Sequence, residues 1–282
     1  MSPSVHRSPF AIVPARGPAR LGQVRSHRDP APVLGVLGGC GGAGATSLAA
    51  VIAARGAGDD VWPVLIDLDA VGGGIDVTLG AEGCSGARWS GLHADGGRLD
   101  PEQLAEGLPR WGDVPFLACD TSTAPSEDAV RSVLSAATAI GPVLVDLGRA
   151  RTPAQSAALA AADAVVLVVP AEVRAITAAS SLRAAVEDCA TGRWHLVVRS
   201  DRAVVGADRV ADLLGLPLAG TLGSDPGLRA ARDRGIDTRR VRRSTARLAR
   251  TLLDLAVRAG YPADLGPCAR ERRLNARSEV CS

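Results

Sequence analysis

A short aliphatic run that passes directly into a glycine-rich turn constrains the fold of this chain more than any other segment. Val33–Leu37 has the composition of a buried strand, and five of the seven residues 38–44 are glycine. Helical composition follows over 48–55. A glycine-rich turn between a strand and a helix gathers backbone N–H groups at the positive end of the helix dipole, an arrangement that binds phosphate. The segment therefore predicts a phosphate-binding loop near the start of the fold.

The remainder of the chain alternates aliphatic runs with helical segments. Further strands are predicted at Pro63–Asp67, Val114–Cys119, Pro142–Asp146, Ala164–Val169, Trp194–Arg199 and Leu218–Leu222. Helices are predicted at Leu48–Arg55, Pro101–Leu108, Ser126–Ala139, Pro153–Ala161, Ala175–Asp188, Ala207–Leu213 and Thr245–Ala259. Such alternation implies right-handed crossovers, and aromatic residues make up only 2 % of the chain, so Ala, Val, Leu and Ile must build the core. We therefore predict an α/β fold of three layers, a mainly parallel twisted sheet with helices on both faces.

Composition divides the chain into three parts. Residues 1–31 are rich in Pro, Arg and Ser and predict a disordered leader, whereas 32–260 contains no linker and predicts one nucleotide-binding domain. The polar segment 261–282 predicts a flexible tail. No stretch approaches the ~18 apolar residues of a membrane span, and the six cysteines form no CxxC pair. These features favour a cytoplasmic protein with reduced thiols.

The glycine loop has two functional interpretations. Gly39–Gly44 matches GxGxxG, and Asp67 ends the next strand at the place of the ribose-binding acid of dinucleotide-binding folds. Alternatively, Cys40–Thr46 matches the deviant Walker A loop of nucleotide triphosphatases, with its two lysines replaced by Cys40 and Ala45. In that case the loop itself holds the phosphates. The predicted cofactor-binding residues are then Cys40, Gly41, Gly42, Ala43, Gly44, Ala45, Thr46 and Ser47.

Acidic residues after two later strands favour the triphosphatase interpretation. Asp67 and Asp69 form a DxD pair, and Val143–Asp146 is an aliphatic strand that ends in a carboxylate, the Walker B form. A magnesium-dependent triphosphatase uses such acids, and a dehydrogenase needs only one. We predict ATP and Mg²⁺ as ligands, with Thr46, Asp67 and Asp146 at the metal and Asp69 as the catalytic residue. Each aspartate alone is also compatible with an ordinary strand end or helix cap.

The order of these motifs resembles that of the ParA/MinD/CpaE ATPases over about residues 33–260. The glycine turn and short apolar helix of 72–79 fit the same family, and Ala45 matches the CpaE-type loop. The segment 87–110 is similar to actinobacterial CpaE-like proteins, also called septum site-determining (Ssd). The resemblance implies a homodimer when nucleotide is bound. It also implies secretion, tight-adherence pilus or division proteins as partners, and a role in localising that machinery or in septum placement.

The chain departs from this family in its cations. It contains no lysine, and all 32 basic residues are arginine. Cys40 replaces the signature lysine, which in the family reaches the partner's nucleotide, and Arg199-Ser200 replaces an Asn-Arg pair near the adenine. One lost charge-assisted bond weakens binding about ten- to a hundredfold, whereas a cation aimed at the transferring phosphoryl group contributes ~10³–10⁵ to turnover. We therefore expect at most a weak ATPase, with Arg149 or Arg151 as a compensating guanidinium.

The C-terminal region leaves two further questions. Arginines crowd 229–250 and are compatible with a DNA-binding face, although aspartates interleave with them and a solvated surface is favoured. The tail after Gly260 offers no apolar helix face, so direct membrane insertion is not expected, and a partner would recruit the protein to a pole, septum or membrane. Two alternatives stay open: an active ParA-like ATPase with monomer–dimer cycling and nonspecific DNA binding, and a dinucleotide-binding oxidoreductase.

Overall fold

The computed structural model describes residues 30–59, 61–92, 99–119, 125–201, 204–232 and 234–260. The predicted tail, and the predicted leader up to residue 29, lie outside the described residues. Ala31 is buried, and its N–H donates to the carbonyl of Thr138 at 2.9 Å. The packing of the described chain therefore begins slightly before the first strand.

Eight strands of the described chain form one sheet. They are β1 Val33–Gly38, β2 Val64–Asp67, β3 Arg110–Trp111, β4 Val114–Leu117, β5 Val143–Asp146, β6 Ala164–Pro170, β7 Arg193–Arg199 and β8 Leu218–Leu222. Their order across the sheet is β3-β4-β2-β5-β1-β6-β7-β8. All neighbouring pairs are parallel except β3–β4, an antiparallel edge pair that the sequence did not predict. The carboxyl ends of β1, β2, β5, β6 and β7 therefore lie along the same edge.

Helices cover both faces of this sheet. They are α1 Ala45–Gly58, α2 Ile75–Leu79, α3 Pro101–Gly107, α4 Glu127–Ile140, α5 Pro153–Ala161, α6 Val173–Val186, α7 Ala207–Leu214, α8 Pro226–Arg229 and α9 Arg243–Gly260. Buried side chains of α1, α2 and α9 form one apolar cluster, and those of α3 to α7 form a second. The three-layer α/β prediction is confirmed. None of the described helices has the length and apolar character needed to cross a membrane.

The alternation of side chains along β1 explains the two layers. Val33 and Leu37 belong to one apolar cluster, and Leu34 and Val36 belong to the other. Successive side chains of a strand point to opposite faces, so a strand buried on both sides reads as an unbroken aliphatic run. Because β1 lies in the middle of the sheet, the glycine loop at its carboxyl end lies at the centre of that edge.

Candidate functional site

The loop between β1 and α1 is a tight turn that ends at a helix N-terminus. The N–H of Ala43 donates to the Cys40 carbonyl at 3.3 Å, and Gly42 inside that turn has a φ of 72°. Gly44 caps α1 with a φ of 95°, a value that glycine adopts without steric cost. The first N–H groups of α1, on 45–47, donate to no acceptor in the described part of the chain. They leave an open cluster of donors that favours an anion.

Close packing under the loop depends on Gly39. A Cβ atom on this residue would lie 2.7 Å from Cβ of Ala179 in α6 and 3.0 Å from a methyl group of Val169 in β6. The Gly39 N–H donates to the Val168 carbonyl at 2.9 Å, which fixes the start of the loop to the neighbouring strand. By contrast, a Cβ on Gly42 would meet nothing within 4 Å. The loop is therefore anchored at its base and open at its tip.

Asp146 lies at the end of β5, next to β1, and the residue is 2 % exposed. The pKa of Asp146 is raised to about 6, mainly by burial. A hydrogen bond from Thr46 opposes this shift, and the charge of Asp69 adds to it. Its Oδ2 atom has no hydrogen-bond partner within the described part of the chain. A buried carboxylate oxygen without a partner calls for a proton or a cation. The Thr46 hydroxyl and this carboxylate are oxygen ligands of the kind that Mg²⁺ prefers.

A cation at this position would need further ligands. Among the described residues, no group of three or more His, Cys, Asp and Glu side chains is arranged to hold a metal ion. Protein sites for Mg²⁺ commonly supply only one or two carboxylates and leave the other positions to water and to substrate phosphates. The donor set at Thr46 and Asp146 fits a magnesium ion that arrives with a phosphate.

Asp67 lies beside Asp146 but is fully engaged with the backbone. Its Oδ1 accepts the N–H of Asp69 at 2.9 Å, and its Oδ2 accepts the N–H groups of Ile75 at 3.0 Å and Cys119 at 3.2 Å. The pKa of Asp67 is raised to about 7, mainly by burial and also by the charge of the neighbouring Asp146. The three N–H groups oppose this shift. Asp67 therefore joins the ends of β2 and β4 to the start of α2.

Asp69 sits in the turn after β2, half-buried and close to the segment that follows β5. Its Oδ1 accepts the N–H groups of Val71 at 3.3 Å and Gly72 at 3.0 Å. A Cβ on Gly148 would lie 2.9 Å from Cα of Asp69, and Gly148 has a φ of 60°. This close approach brings the predicted catalytic carboxylate to the buried pair, near enough for its charge to raise the pKa of Asp146.

Two guanidinium groups flank the lysine-free loop. A Cβ on Gly41 would lie 3.5 Å from Nη2 of Arg149, so that predicted compensating residue does reach the loop. On the other side, Nη1 of Arg199 donates to the Gly42 carbonyl at 2.7 Å, a contact that the sequence did not indicate. Arg151, the other predicted candidate, is exposed. Positive charge therefore reaches the loop from the segment after β5 and from the end of β7 rather than from within the loop.

Cys40 occupies the signature-lysine position without a reactive environment. Burial raises the pKa of the Cys40 thiol, Arg149 opposes the shift, Glu172 adds to it, and Arg199 opposes it. The net effect is a pKa above the ordinary value, which keeps the group a neutral thiol. A neutral side chain at this position contributes no cation to the loop.

Gln155 is a further residue that the sequence analysis did not single out. It is 1 % exposed, and its Nε2 donates to the carbonyls of Leu147 and Gly148, each at 3.1 Å. Thr152 caps the same helix by accepting the N–H of Gln155 at 3.1 Å. The sequence predicted a helix at Pro153–Ala161, but no local pattern indicated that a glutamine would hold the segment after β5.

Comparisons with known proteins give relatives of the sequence and of the fold. No protein-family model matches the chain. Two uncharacterized proteins of Mycobacterium tuberculosis, from the CDC 1551 and H37Rv strains, are each 40% identical over 232 residues, or 81% of this chain. The chain spans 65% of the length of these relatives.

Solved structures with similar folds include a ParA family ATPase and MinD proteins. A ParA family ATPase from Chlorobium tepidum superposes with a TM-score of 0.68 at 17% identity, covering 80% of this chain and 98% of that one. The MinD cell division protein of Aquifex aeolicus gives 0.64 at 21%, covering 79% and 97%. The septum site-determining protein MinD from Pyrococcus horikoshii, solved with Mg-ADP, gives 0.60 at 15%, covering 83% and 100%. The chain has the three-layer α/β fold of the P-loop ATPases of the ParA and MinD type.

Proposed function

We propose that this chain binds ATP with Mg²⁺ and hydrolyses it slowly or not at all. The observation that carries the proposal is the unpartnered Oδ2 of Asp146, a buried carboxylate oxygen on the strand beside the phosphate loop. A site with open N–H donors on one side and a cation-seeking carboxylate on the other suits a magnesium polyphosphate. A MinD relative in fold was solved with Mg-ADP, which supports the same ligand class here.

Each residue has a defined task in this proposal. The N–H groups of 45–47 donate to phosphate oxygens at the start of α1. The Thr46 hydroxyl and the Asp146 carboxylate hold the metal and its water. A bound Mg²⁺ neutralises phosphate charge. Asp69, in the turn beside this pair, orients water for attack. Asp67, the third residue predicted at the metal, lies beside Asp146 and also keeps the turn, α2 and β4 in register through its three backbone hydrogen bonds.

Slow hydrolysis follows from the neutral residues in the loop. Cys40 and Ala45 replace both lysines, and the loss of a cation at the transferring phosphoryl group costs ~10³–10⁵ in turnover where it has been measured. Arg149 and Arg199 lie beside the loop and support binding through their charge. Binding therefore survives the loss of lysine better than catalysis does.

In the cell, we propose a CpaE-like, septum site-determining role. The chain would act in the cytoplasm as a nucleotide-bound homodimer that controls where pilus, secretion or division machinery assembles, and a protein partner would recruit it to a pole, septum or membrane. Support comes from the motif order and from the segment that resembles actinobacterial CpaE-like proteins. The Aquifex MinD structure solved as a MinC:MinD complex supports a division-type partner by analogy of fold.

Ligand binding and turnover test the two parts separately. Calorimetry with ATP, with and without Mg²⁺, should show binding that magnesium strengthens, and an Asp146→Asn variant should lose the magnesium effect. Asp212→Asn, on the exposed surface of α7, is the matched control. Robust magnesium-dependent turnover abolished by Asp69→Ala would instead establish an active ATPase. Binding of NAD(P) in preference to ATP would favour the oxidoreductase alternative.

A further inference from the structure

Arg199 is the last residue of β7, which lies two strands away from β1 in the sheet. Its carbonyl accepts the N–H of Ala171 at 3.0 Å, and the N–H of Ser200 donates to the Leu222 carbonyl at 3.0 Å. The end of β7 is thereby fixed to the segments on both sides of it. The Arg199 side chain is 24% exposed and passes over β6 to reach the loop after β1. The backbone that carries this side chain is therefore held in place by hydrogen bonds.

The guanidinium of Arg199 is held by two groups at once. Its Nε and Nη2 donate to the two carboxylate oxygens of Asp201 at 3.0 and 2.8 Å, and its Nη1 donates to the Gly42 carbonyl at 2.7 Å. The peptide between Gly42 and Ala43 is fixed at both ends, because the Ala43 N–H donates to the Cys40 carbonyl. Arg199 therefore determines how the tip of the loop is turned.

Apart from the Arg199 contact and the bond between the Ala43 N–H and the Cys40 carbonyl, no other hydrogen bond in the described structure holds this tip. A Cβ on Gly42 would meet no atom within 4 Å, so no side-chain packing supports the turn at this residue. Glycine also has more backbone freedom to lose than any other residue. The two positions from which a lysine could have bound the loop are the neutral Cys40 and Ala45. The cationic side chain that contacts the loop is instead Arg199, 157 positions away in sequence from Gly42.

We propose that Arg199 is the positioning residue of the phosphate loop and that Asp201 orients the Arg199 guanidinium. With the Gly42 carbonyl bound to a guanidinium, its negative oxygen is not free to face a phosphate, and the open N–H groups of α1 keep their common direction. Three of the five guanidinium N–H groups are engaged, which leaves two for oxygens of a bound polyphosphate. The identity of this ligand rests on the proposed function, whereas the contact that shapes the loop does not.

The test compares substitutions at the contact with a control outside it. Arg199→Ala removes all three hydrogen bonds, Arg199→Lys keeps charge but cannot bind Asp201 and Gly42 in the same fork, and Asp201→Asn removes the charge that aims the arginine. Arg209→Ala, on an exposed arginine of α7, is the matched control. Affinity for Mg–ATP and for inorganic tripolyphosphate is measured by calorimetry, and amide hydrogen exchange is measured over 39–48 without ligand.

We expect Arg199→Ala to weaken the binding of both ligands about ten- to a hundredfold. It should also speed amide exchange in the loop, while the melting temperature changes little. Arg199→Lys should recover part of the affinity, Asp201→Asn should fall between the two, and the control should match the wild type. If Arg199→Ala does not fold, Arg199→Lys and Asp201→Asn provide the same comparison.

Two results would overturn the proposal: unchanged loop exchange in Arg199→Ala, or weakened binding of ATP with unchanged binding of tripolyphosphate. The second would place Arg199 at the nucleoside. If the wild type binds neither ligand, the proposed function fails, and loop exchange alone decides the role of Arg199. Faster exchange in the variant then supports that role, and equal exchange rejects it.

Discussion

Asp67 and Asp146 are direct neighbours on the parallel strands β2 and β5, and both carboxyl groups are buried at the edge that carries the phosphate loop. Three N–H groups satisfy Asp67, whereas Asp146 keeps one oxygen without a partner. Two buried carboxylates this close cannot both carry a charge cheaply. The pair therefore favours protonation of a carboxyl group when no cation is bound, and it favours Mg²⁺ when one is supplied with phosphate.

The first prediction concerns stability against pH without ligand. Folding raises the pKa of Asp67 to about 7 and that of Asp146 to about 6, both from an ordinary 3.8. Between pH 4 and 7 the folded state therefore binds more protons than the unfolded state, and stability must fall as pH rises. At about 1.4 kcal/mol per pKa unit, shifts of this size correspond to an expected loss of several kcal/mol over this pH range. Urea unfolding at several pH values measures it.

The matched variants for this prediction are Asp146→Asn and the exposed Asp212→Asn. The first removes one member of the pair and should flatten the pH slope, while the second should keep the wild-type slope. Saturating Mg–ATP should also flatten the wild-type slope, because a cation then takes the place of the proton. Equal slopes in all three proteins would show that the pair does not govern the pH response.

The second prediction concerns the missing lysine. Ala45 is the first residue of α1 and stands where the deviant Walker A pattern has its second lysine. Ala45→Lys should raise magnesium-dependent ATP turnover at least tenfold, because it returns a cation to the phosphoryl group. Ala45→Met adds similar length without charge and should leave turnover at the wild-type level. Addition of Asp69→Ala to the lysine variant should remove the gain. A phosphate-release assay reads all four proteins.

The third prediction concerns the segment after β5. Gln155→Leu removes two hydrogen bonds and leaves the carbonyls of Leu147 and Gly148 buried without a donor. We expect a loss of about 1–3 kcal/mol in the free energy of unfolding and weaker Mg–ATP binding, since this segment carries Gly148 against Asp69. Gln103→Leu, on the exposed face of α3, should change neither quantity. A Gln155 variant as stable as the wild type would refute this role.

Sequence patterns predicted the layered fold because its strands are long aliphatic runs with clear boundaries. Pro153–Ala161 and Leu218–Leu222 have the predicted bounds. Helix α1 begins at Ala45, three residues before the predicted Leu48, because the positive φ of Gly44 starts the helix within the loop. β3 and α8 have two and four residues, too few for any periodicity to register. Elements of that length depend on tertiary contacts, such as the buried Asp225 that caps α8.

The candidate site was predictable only where its residues are local in sequence. Asp146 ends an aliphatic strand, and Thr46 follows a glycine loop, so pattern alone places both at one edge of a parallel sheet. Arg199 donates to a loop carbonyl that is distant in the chain, and Gln155 caps carbonyls of a neighbouring segment. Such contacts depend on which strands become neighbours, and no local pattern encodes that arrangement.

Calorimetric titration of the wild type and of Asp146→Asn with ATP, each with and without Mg²⁺, tests the central claim most directly. We expect the wild type to bind one ATP per chain, with at least tenfold tighter binding when Mg²⁺ is present, and Asp146→Asn to bind equally with and without the metal. Absence of ATP binding by the folded wild type, or a magnesium effect that survives in Asp146→Asn, would contradict the account.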